Sequence, residues 1–226
     1  RRMPILADWY DVLQESADTR HLAVVLARYV TGSASAMGSR NEIDLDNKYI
    51  VIDTSGMPDD LLLPGIFWAT DIANDLISGA GGQLSALISD ELWSLVGANS
   101  NPLAAGYIQE MVKTIRGLGG IAITSTQGMQ DLFSLDNGKY GKGILDSSRI
   151  KIVMQMEEQE ALLIQNVLNL SEEEVRQITR FRRGEGLLCI GYNHVPIAFY
   201  ATQKEYDAIT TSPTDLLNRN IKNETV

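Results

Sequence analysis

The 226-residue sequence contains one cysteine, Cys189, and two histidines, His21 and His194. A single cysteine excludes a disulfide framework and a metal site built from cysteines, and it favours a reducing compartment. Catalysis by a serine, a histidine and an aspartate would need a well-placed histidine. We interpret His21 as a helix-surface residue and His194 as an exposed turn residue, so neither predicts that chemistry.

The sequence also lacks an excess of positive charge, since 19 Lys and Arg face 29 Asp and Glu, a net charge of -10. This balance argues against a domain that coats nucleic acid through a basic surface, although DNA held in a local channel of a larger assembly is compatible with it. The sequence shows no apolar run of membrane-spanning length and no signal peptide. Because the chain opens on Arg1-Arg2-Met3-Pro4 without an initiator methionine, we expect a piece of a longer protein.

The most informative stretch runs from Leu84 to Trp93 and combines a short apolar run with two acids. The run predicts a buried parallel strand over residues 84–89. Asp90 and Glu91 would then lie at the carboxyl end of the strand, where open α/β sheets bind ligands. This is the Walker B arrangement, in which the first acid helps to hold the water shell of Mg²⁺ and the second polarises the attacking water. The alternative is a helix whose first turn carries both acids, which the helix dipole favours.

Strands alternate with helices along most of the chain. Strands are predicted at 48–53, 84–89, 120–124 and 149–154, and helices at 4–30, 59–79, 102–117, 157–168, 171–181, 203–210 and 213–220. A hairpin is predicted from 185–190 and 195–200. The pattern predicts an α/β fold, with a mostly parallel sheet flanked by helices, a small N-terminal helical unit and a C-terminal β-hairpin. Loop composition between these parts predicts a helical segment at 1–40 and a core domain at 41–226.

Polar residues follow three of the predicted strands, as Asp53-Thr54-Ser55, Asp90-Glu91 and Thr126-Gln127. In a parallel sheet these groups fall on one edge, where two acids and an amide suit a nucleotide, Mg²⁺ and a positioned water. Gln127 could then report on a γ-phosphate by hydrogen bonding.

An ordered set of motifs resembles one protein family. The set comprises Asp90-Glu91-Leu92-Trp93, a helix ending near Arg116-Gly117-Leu118-Gly119-Gly120, Ser125-Thr126-Gln127 with Asp131-Leu132 after it, Gly184-Glu185-Gly186-Leu187-Leu188, Glu205-Tyr206 and Thr211-Ser212-Pro213. Together, over residues 4 to 216, they resemble the large cytoplasmic ATPase of type IV secretion and conjugative-transfer systems. That family is similar to the HerA and FtsK group of RecA-like, P-loop hexameric motors, and its members power pilus assembly and substrate transfer through the secretion channel.

The resemblance implies a role for each acid and for the polar turn. Asp90 would be the Walker B acid on the Mg²⁺ side, and Glu91 the catalytic base. Gln127 would be the sensor, with Thr126 beside it in the nucleotide site. ATP and Mg²⁺ are the implied cofactors.

Three arginines are candidates for contact with a nucleotide. Arg116 precedes a Gly-Leu-Gly-Gly turn and would reach the nucleotide of a neighbouring subunit, as arginines do when they stabilise transition-state charge across an interface. Arg182 and Arg183 are rivals for this role. The alternative for all three is a solvated or salt-bridged surface position.

The sequence departs from this family in one motif, because it has no G-x-x-x-x-G-K-[ST] phrase. The nearest phrase, residues 138–143, has the wrong spacing and follows the Walker B strand, so we interpret it as a flexible loop. A P-loop supplies the amide cradle and the lysine that grip the phosphates. We therefore expect this chain alone to bind ATP poorly and to hydrolyse essentially none, with the P-loop lying upstream in the intact protein.

The missing strand has a structural consequence. In the implied fold the P-loop strand lies between strands 120–124 and 149–154, so its absence leaves a gap, which the chain would close by distortion or cover by self-association. The resemblance further implies a hexamer that works with other secretion-channel subunits, without a transmembrane segment of its own, at the inner face of the cell membrane. The alternatives are a DNA-pumping ATPase of the coupling-protein or FtsK type and a non-catalytic α/β interaction domain.

Overall fold

The computed structural model describes residues 4–38, 45, 47–54, 56–81, 83–91, 93–97 and 100–215. By its internal contacts the chain divides into two compact units, residues 1–125 and 126–226. The predicted boundary near residue 40 falls within a segment, 39–44, that lies outside the described residues, and it stays a prediction.

The first unit is mostly helical and contains one parallel pair of strands. Its elements are α1 (Leu6–Glu15), α2 (Arg20–Val30), α3 (Ser35–Gly38), α4 (Asp59–Gly79), β1 (Ser85–Ser89), α5 (Trp93–Val96), α6 (Pro102–Thr114), a 3₁₀ turn (Ile115–Leu118) and β2 (Gly120–Thr124). The predicted N-terminal helical unit and the strands at 84–89 and 120–124 are therefore confirmed, within a residue at each end.

The predicted strand at 48–53 is wrong, because this segment has no strand assignment in the structure. Its run of β-branched and aromatic residues satisfies strand propensity, but a strand also needs a neighbour to pair with. The segment pairs with neither β1 nor β2. Tyr49 and Val51 are instead exposed.

Strands β1 and β2 run parallel and in register, with Ser85 opposite Gly120 and Ser89 opposite Thr124. Helix α6 leads the chain to β2. It begins with Pro102 at its first position, and the side chain of Asn101 accepts a hydrogen bond from the Leu103 amide at 2.8 Å. This N-cap satisfies a backbone donor that the helix cannot pair internally.

The second unit contains helices and a three-stranded sheet. Its elements are α7 (Met129–Leu132), a 3₁₀ turn (Leu135–Gly138), α8 (Lys139–Ser147), β3 (Ile150–Met154), α9 (Glu158–Leu168), α10 (Glu172–Arg180), β4 (Glu185–Ile190), β5 (Asn193–Ala198) and α11 (Gln203–Ile209). The predicted C-terminal hairpin is confirmed as β4 and β5. Of the last predicted helix, residues 213–215 are helical and residues 216–220 lie outside the described residues.

The predicted flexible loop at 138–143 is wrong, because most of it belongs to α8. Tyr140 and Ile144 are buried on this helix, and their packing outweighs the low helix propensity of the neighbouring glycines. Gly141 fits where a larger residue would not, since a Cβ there would lie 2.3 Å from the carbonyl oxygen of Leu132.

Strands β3, β4 and β5 form an antiparallel sheet whose one face carries the core of this unit. Core residues from the sheet and from α9 and α10 pack together, and they include Val153, Leu187, Cys189, Ala161, Ile164, Leu168, Val175 and Ile178. Helix α10 opens with a capping box, in which Ser171 accepts from the Glu174 amide and Glu174 accepts from the Ser171 amide. Ser171 followed three residues later by Glu174 is the sequence signature of such a box.

The α/β class is thus confirmed, with parallel pairing confined, among the described residues, to β1 and β2. The strands lie in two separate sheets, and β2 and β3 are not neighbours in either. The expected gap after strand 120–124 and its closure by distortion or self-association stay predictions. No helix in the described part of the chain is both long enough and apolar enough to cross a membrane.

Candidate functional site

Asp90 and Glu91 directly follow the last residue of β1. The parallel ladder continues one step beyond the strands, because the Ser125 amide donates to the carbonyl oxygen of Ser89 at 2.9 Å. Asp90 therefore lies opposite Ser125, and the Ser125 hydroxyl donates to Asp90 Oδ1. The amide of Glu91 donates to the same oxygen at 3.1 Å. Asp90 is exposed at this edge, where its carboxylate is accessible to a ligand.

The backbone of Glu91 adopts a left-handed conformation, with φ at 53°. Such a conformation costs a non-glycine residue about 1–2 kcal/mol, so the surrounding structure must hold it. Ser94 does so at the carbonyl oxygen of Glu91, to which it donates its amide at 3.0 Å and its hydroxyl at 2.8 Å.

The alternative interpretation of the two acids as the first turn of a helix fits this geometry less well. The following helix, α5, begins only at Trp93 and has four residues. Glu91, in its left-handed conformation, lies before that helix and not within its first turn.

The polar triplet that ends β2 spans the division between the two units. Ser125 belongs to the first unit, and Thr126 and Gln127 begin the second. Thr126 is half-buried, and its hydroxyl has no hydrogen-bond partner among the described residues. Gln127 is exposed.

The third predicted strand end does not exist as such. Asp53 and Thr54 lie in a segment without strand structure, and Ser55 lies outside the described residues. Of the three predicted strand ends, the structure therefore provides those of β1 and β2.

The three candidate arginines all lie on the surface. Arg116 is in the 3₁₀ turn after α6, two residues beyond the end of that helix, and it forms no ion pair with another described residue. The amide of Arg182 donates to Glu185 Oε2 at 2.8 Å, which closes the turn before β4. Arg183 lies near Asp215, where hydrogen bonds from Tyr206, Ser212 and Thr210, and then the charge of Arg183, lower the pKa of the carboxyl.

Asp90 offers one exposed carboxylate as a metal ligand at the end of β1. No group of three or more His, Cys, Asp or Glu side chains converges in the described part of the chain. Mg²⁺ usually retains several waters and is bound through one or two carboxylates together with substrate phosphates. The exposed carboxylate of Asp90 fits that mode of binding.

His194 has a structural environment that the sequence did not reveal. The prediction of an exposed turn residue is wrong, since His194 lies on β5 and its side chain is only 9% exposed. Its Nδ1 lies 2.7 Å from Glu174 Oε1. Partial burial would raise the pKa of Glu174, but hydrogen bonds from the amide and hydroxyl of Ser171 and from His194 lower it.

Sequence reasoning missed Ser125 and Ser94, which contact the two acids directly. Pairing the two predicted strands in register would have indicated Ser125. Both strands have five residues in the structure, and when Ser89 lies opposite Thr124, Asp90 and Ser125 lie side by side. Ser94 had no comparable signal, since its role depends on the left-handed backbone of Glu91.

A family model, the TraG P-loop domain, matches residues 7–217 of the chain. No curated protein matches this chain significantly.

Among solved structures, VirB4 of Thermoanaerobacter pseudethanolicus is similar, with 25% sequence identity and a TM-score of 0.79. The match covers 89% of this chain and 56% of that chain, so the present sequence spans little more than half the length of its relative. A more remote match is the genome packaging NTPase B204 from Sulfolobus turreted icosahedral virus 2, solved in complex with ATP-gammaS. It is 18% identical, with a TM-score of 0.49, and the match covers 72% of this chain and 74% of that chain. This likeness is too remote to bear on the site. The family match and the likeness to VirB4 support the predicted resemblance to the P-loop ATPases of type IV secretion and conjugation.

Proposed function

This chain belongs to the TraG P-loop domain family, and from that membership we propose that it forms part of a motor ATPase that couples ATP hydrolysis to conjugative transfer or type IV secretion. The observation that carries the proposal is the position of Asp90 and Glu91 at the carboxyl end of β1, beside the end of the parallel strand β2. Pilus assembly and substrate translocation are the work that the motor would perform.

The two acids have distinct roles in this proposal. Asp90 would hold the water shell of a nucleotide-bound Mg²⁺, and the ion would supply positive charge that neutralises the phosphates. Glu91 accepts a proton from the attacking water. Its left-handed backbone is held by Ser94, whose hydroxyl donates to the carbonyl oxygen of Glu91.

The polar turn and the arginines complete the proposed site in the assembled protein. Gln127 senses the γ-phosphate by hydrogen bonding, with Thr126 beside it. Arg116 contacts the nucleotide of a neighbouring subunit, and Arg182 and Arg183 are the other candidates for that contact. A contact from a neighbouring subunit requires an oligomer, and we propose a hexamer that works with other secretion-channel subunits at the cytoplasmic face of the membrane.

The 226 residues do not include a phosphate-binding P-loop, since they contain no G-x-x-x-x-G-K-[ST] phrase. We propose that these residues alone do not hydrolyse ATP. Activity should therefore be measured on the full-length natural protein that includes this sequence.

The test is Mg²⁺-dependent ATP hydrolysis by that full-length protein, native against Glu91→Gln. We expect the substitution to lower kcat at least a hundredfold, because it removes the general base, and to leave the affinity for a fluorescent ATP analogue within about twofold. Glu110→Gln is a matched control, because Glu110 is an exposed residue of α6. Equal hydrolysis by the native and Glu91→Gln proteins, or none by the native protein, would replace the motor with the non-catalytic interaction domain.

A further inference from the structure

The Ser125 side chain lies next to Asp90 because of the strand register. Ser89 is paired with Thr124, so the next step of the parallel ladder brings Asp90 and Ser125 together. The backbone bond from the Ser125 amide to Ser89 O, at 2.9 Å, fixes that step. Neighbouring positions of a parallel ladder direct their side chains to the same face, so the hydroxyl can reach the carboxylate.

Two donors from different strand ends act on one oxygen of Asp90. The Ser125 hydroxyl and the Glu91 amide both donate to Oδ1. Among the described residues, none donates to Oδ2. Asp90 is exposed, and these two bonds orient its carboxylate. Hydrogen bonds to an ionised carboxylate are about twice as strong as neutral ones.

We propose that Ser125 is a positioning residue that holds Asp90 through Oδ1 and so leaves Oδ2 for the water shell of nucleotide-bound Mg²⁺. This inference rests on the proposed function, in which Asp90 is the acid on the metal side. It adds to that function a residue of β2 that orients the acid without touching nucleotide or metal.

The experiment measures two quantities for the full-length protein as functions of Mg²⁺ concentration, namely binding of a fluorescent ATP analogue and ATP hydrolysis. For Ser125→Ala we expect the half-saturating Mg²⁺ concentration to rise about tenfold, the lower end of the effect of losing an outer-shell partner. We expect kcat at saturating Mg²⁺ to change much less, because excess metal compensates for a poorly oriented ligand. Ser125→Thr, which keeps the hydroxyl, should restore the native Mg²⁺ requirement.

Two controls separate positioning from damage to the fold. Ser85→Ala removes a hydroxyl from the opposite end of β1, where among the described residues it donates to Gln83 O, and should leave the Mg²⁺ dependence unchanged. In an Asp90→Asn background, Ser125→Ala should have no further effect on the Mg²⁺ requirement, since the two residues act as a unit.

Each result bears on a different proposal. If Asp90→Asn itself leaves hydrolysis and its Mg²⁺ dependence unchanged, the proposed function fails. If Asp90→Asn is impaired while Ser125→Ala shows the native Mg²⁺ requirement, or Ser125→Thr behaves like Ser125→Ala, the positioning role alone is overturned.

Discussion

The second unit buries apolar side chains in a shared core, whereas the strand pair of the first unit leaves the apolar side chains of one face exposed. Ile164 on α9 is 2% exposed, and Ile88 on β1 is 67% exposed. Neighbouring Ile121 and Ile123 on β2 share the exposure of Ile88. The candidate site lies at the end of the exposed strand pair. Its geometry therefore depends on a few local hydrogen bonds, and the core of the second unit serves stability.

The largest expected effect is on the free energy of unfolding, and an Ile→Ala substitution made once in each unit tests the contrast. Ile164→Ala should lower the free energy of unfolding of the second unit by about 2–5 kcal/mol, because it leaves a cavity in the core. Ile88→Ala should cost less than about 1 kcal/mol, since little apolar area leaves water at that position. Amide hydrogen exchange of the intact chain reports each unit separately.

A helix control for that pair is Leu162→Ala, on the same helix as Ile164 but half exposed. It should be nearly neutral. An Ile88→Ala cost equal to that of Ile164→Ala would mean that the face of β1 is covered in solution, and the contrast between the units would be broken.

The next effect concerns the close packing of the α8 backbone. The glycine-rich composition of residues 138–143 predicted a loop in place of this helix. Gly141→Ala should destabilise the second unit by about 1–3 kcal/mol, because the added Cβ meets the Leu132 carbonyl oxygen and lies 2.9 Å from Leu132 Cγ. Gly79→Ala is the matched substitution in the first unit, at the end of α4, where a Cβ meets nothing within 4 Å. It should stabilise by about 0.4–1 kcal/mol, through loss of freedom in the unfolded chain.

Urea denaturation of the three proteins measures both changes. If Gly141→Ala proved as harmless as Gly79→Ala, then α8 would not pack against α7 as described. Residues 138–143 would then be the loop that their composition predicted.

Local signals in the sequence predicted the fold where each element is defined by its own residues. The capping box at Ser171 and the hairpin of β4 and β5 are of this kind. The prediction of a strand at 48–53 was wrong because strand pairing is not a local property. The prediction of a loop at 138–143 was wrong because the burial of Tyr140 and Ile144 outweighs the low helix propensity of the glycines.

The candidate site was predictable to the same extent. Adjacent acids after an apolar run indicated Asp90 and Glu91, and the structure places them at the strand end. The left-handed backbone of Glu91 follows from the geometry of the turn, and the hydrogen bond from Ser125 to Asp90 follows from the strand register. Neither is encoded by a single residue. The roles of these residues stay predictions for the kinetic tests.

The smallest expected effect is a pH-dependent stabilisation of the second unit by Glu174. Although partial burial opposes it, hydrogen bonds from Ser171 and His194 lower the pKa of Glu174 in the folded state. A lowered folded pKa contributes stability above the unfolded pKa, about 4.3, and loses it as pH falls through the folded value. Glu174→Gln should therefore cost about 1 kcal/mol at pH 7, typical of the net contribution of one hydrogen bond, and progressively less as the pH falls through the folded pKa.

The control for this pH effect is Glu172→Gln on the same helical turn, where the carboxylate is mostly exposed and lies 3.9 Å from Arg176. Its cost should be close to zero throughout. Thermal unfolding between pH 3 and pH 7 measures both variants. A Glu174→Gln cost that does not change with pH would show that packing of the side chain, and not its charge, joins α10 to β5. The junction of α10 and β5 would then depend on apolar contact, which would widen its contrast with the hydrogen-bonded end of β1.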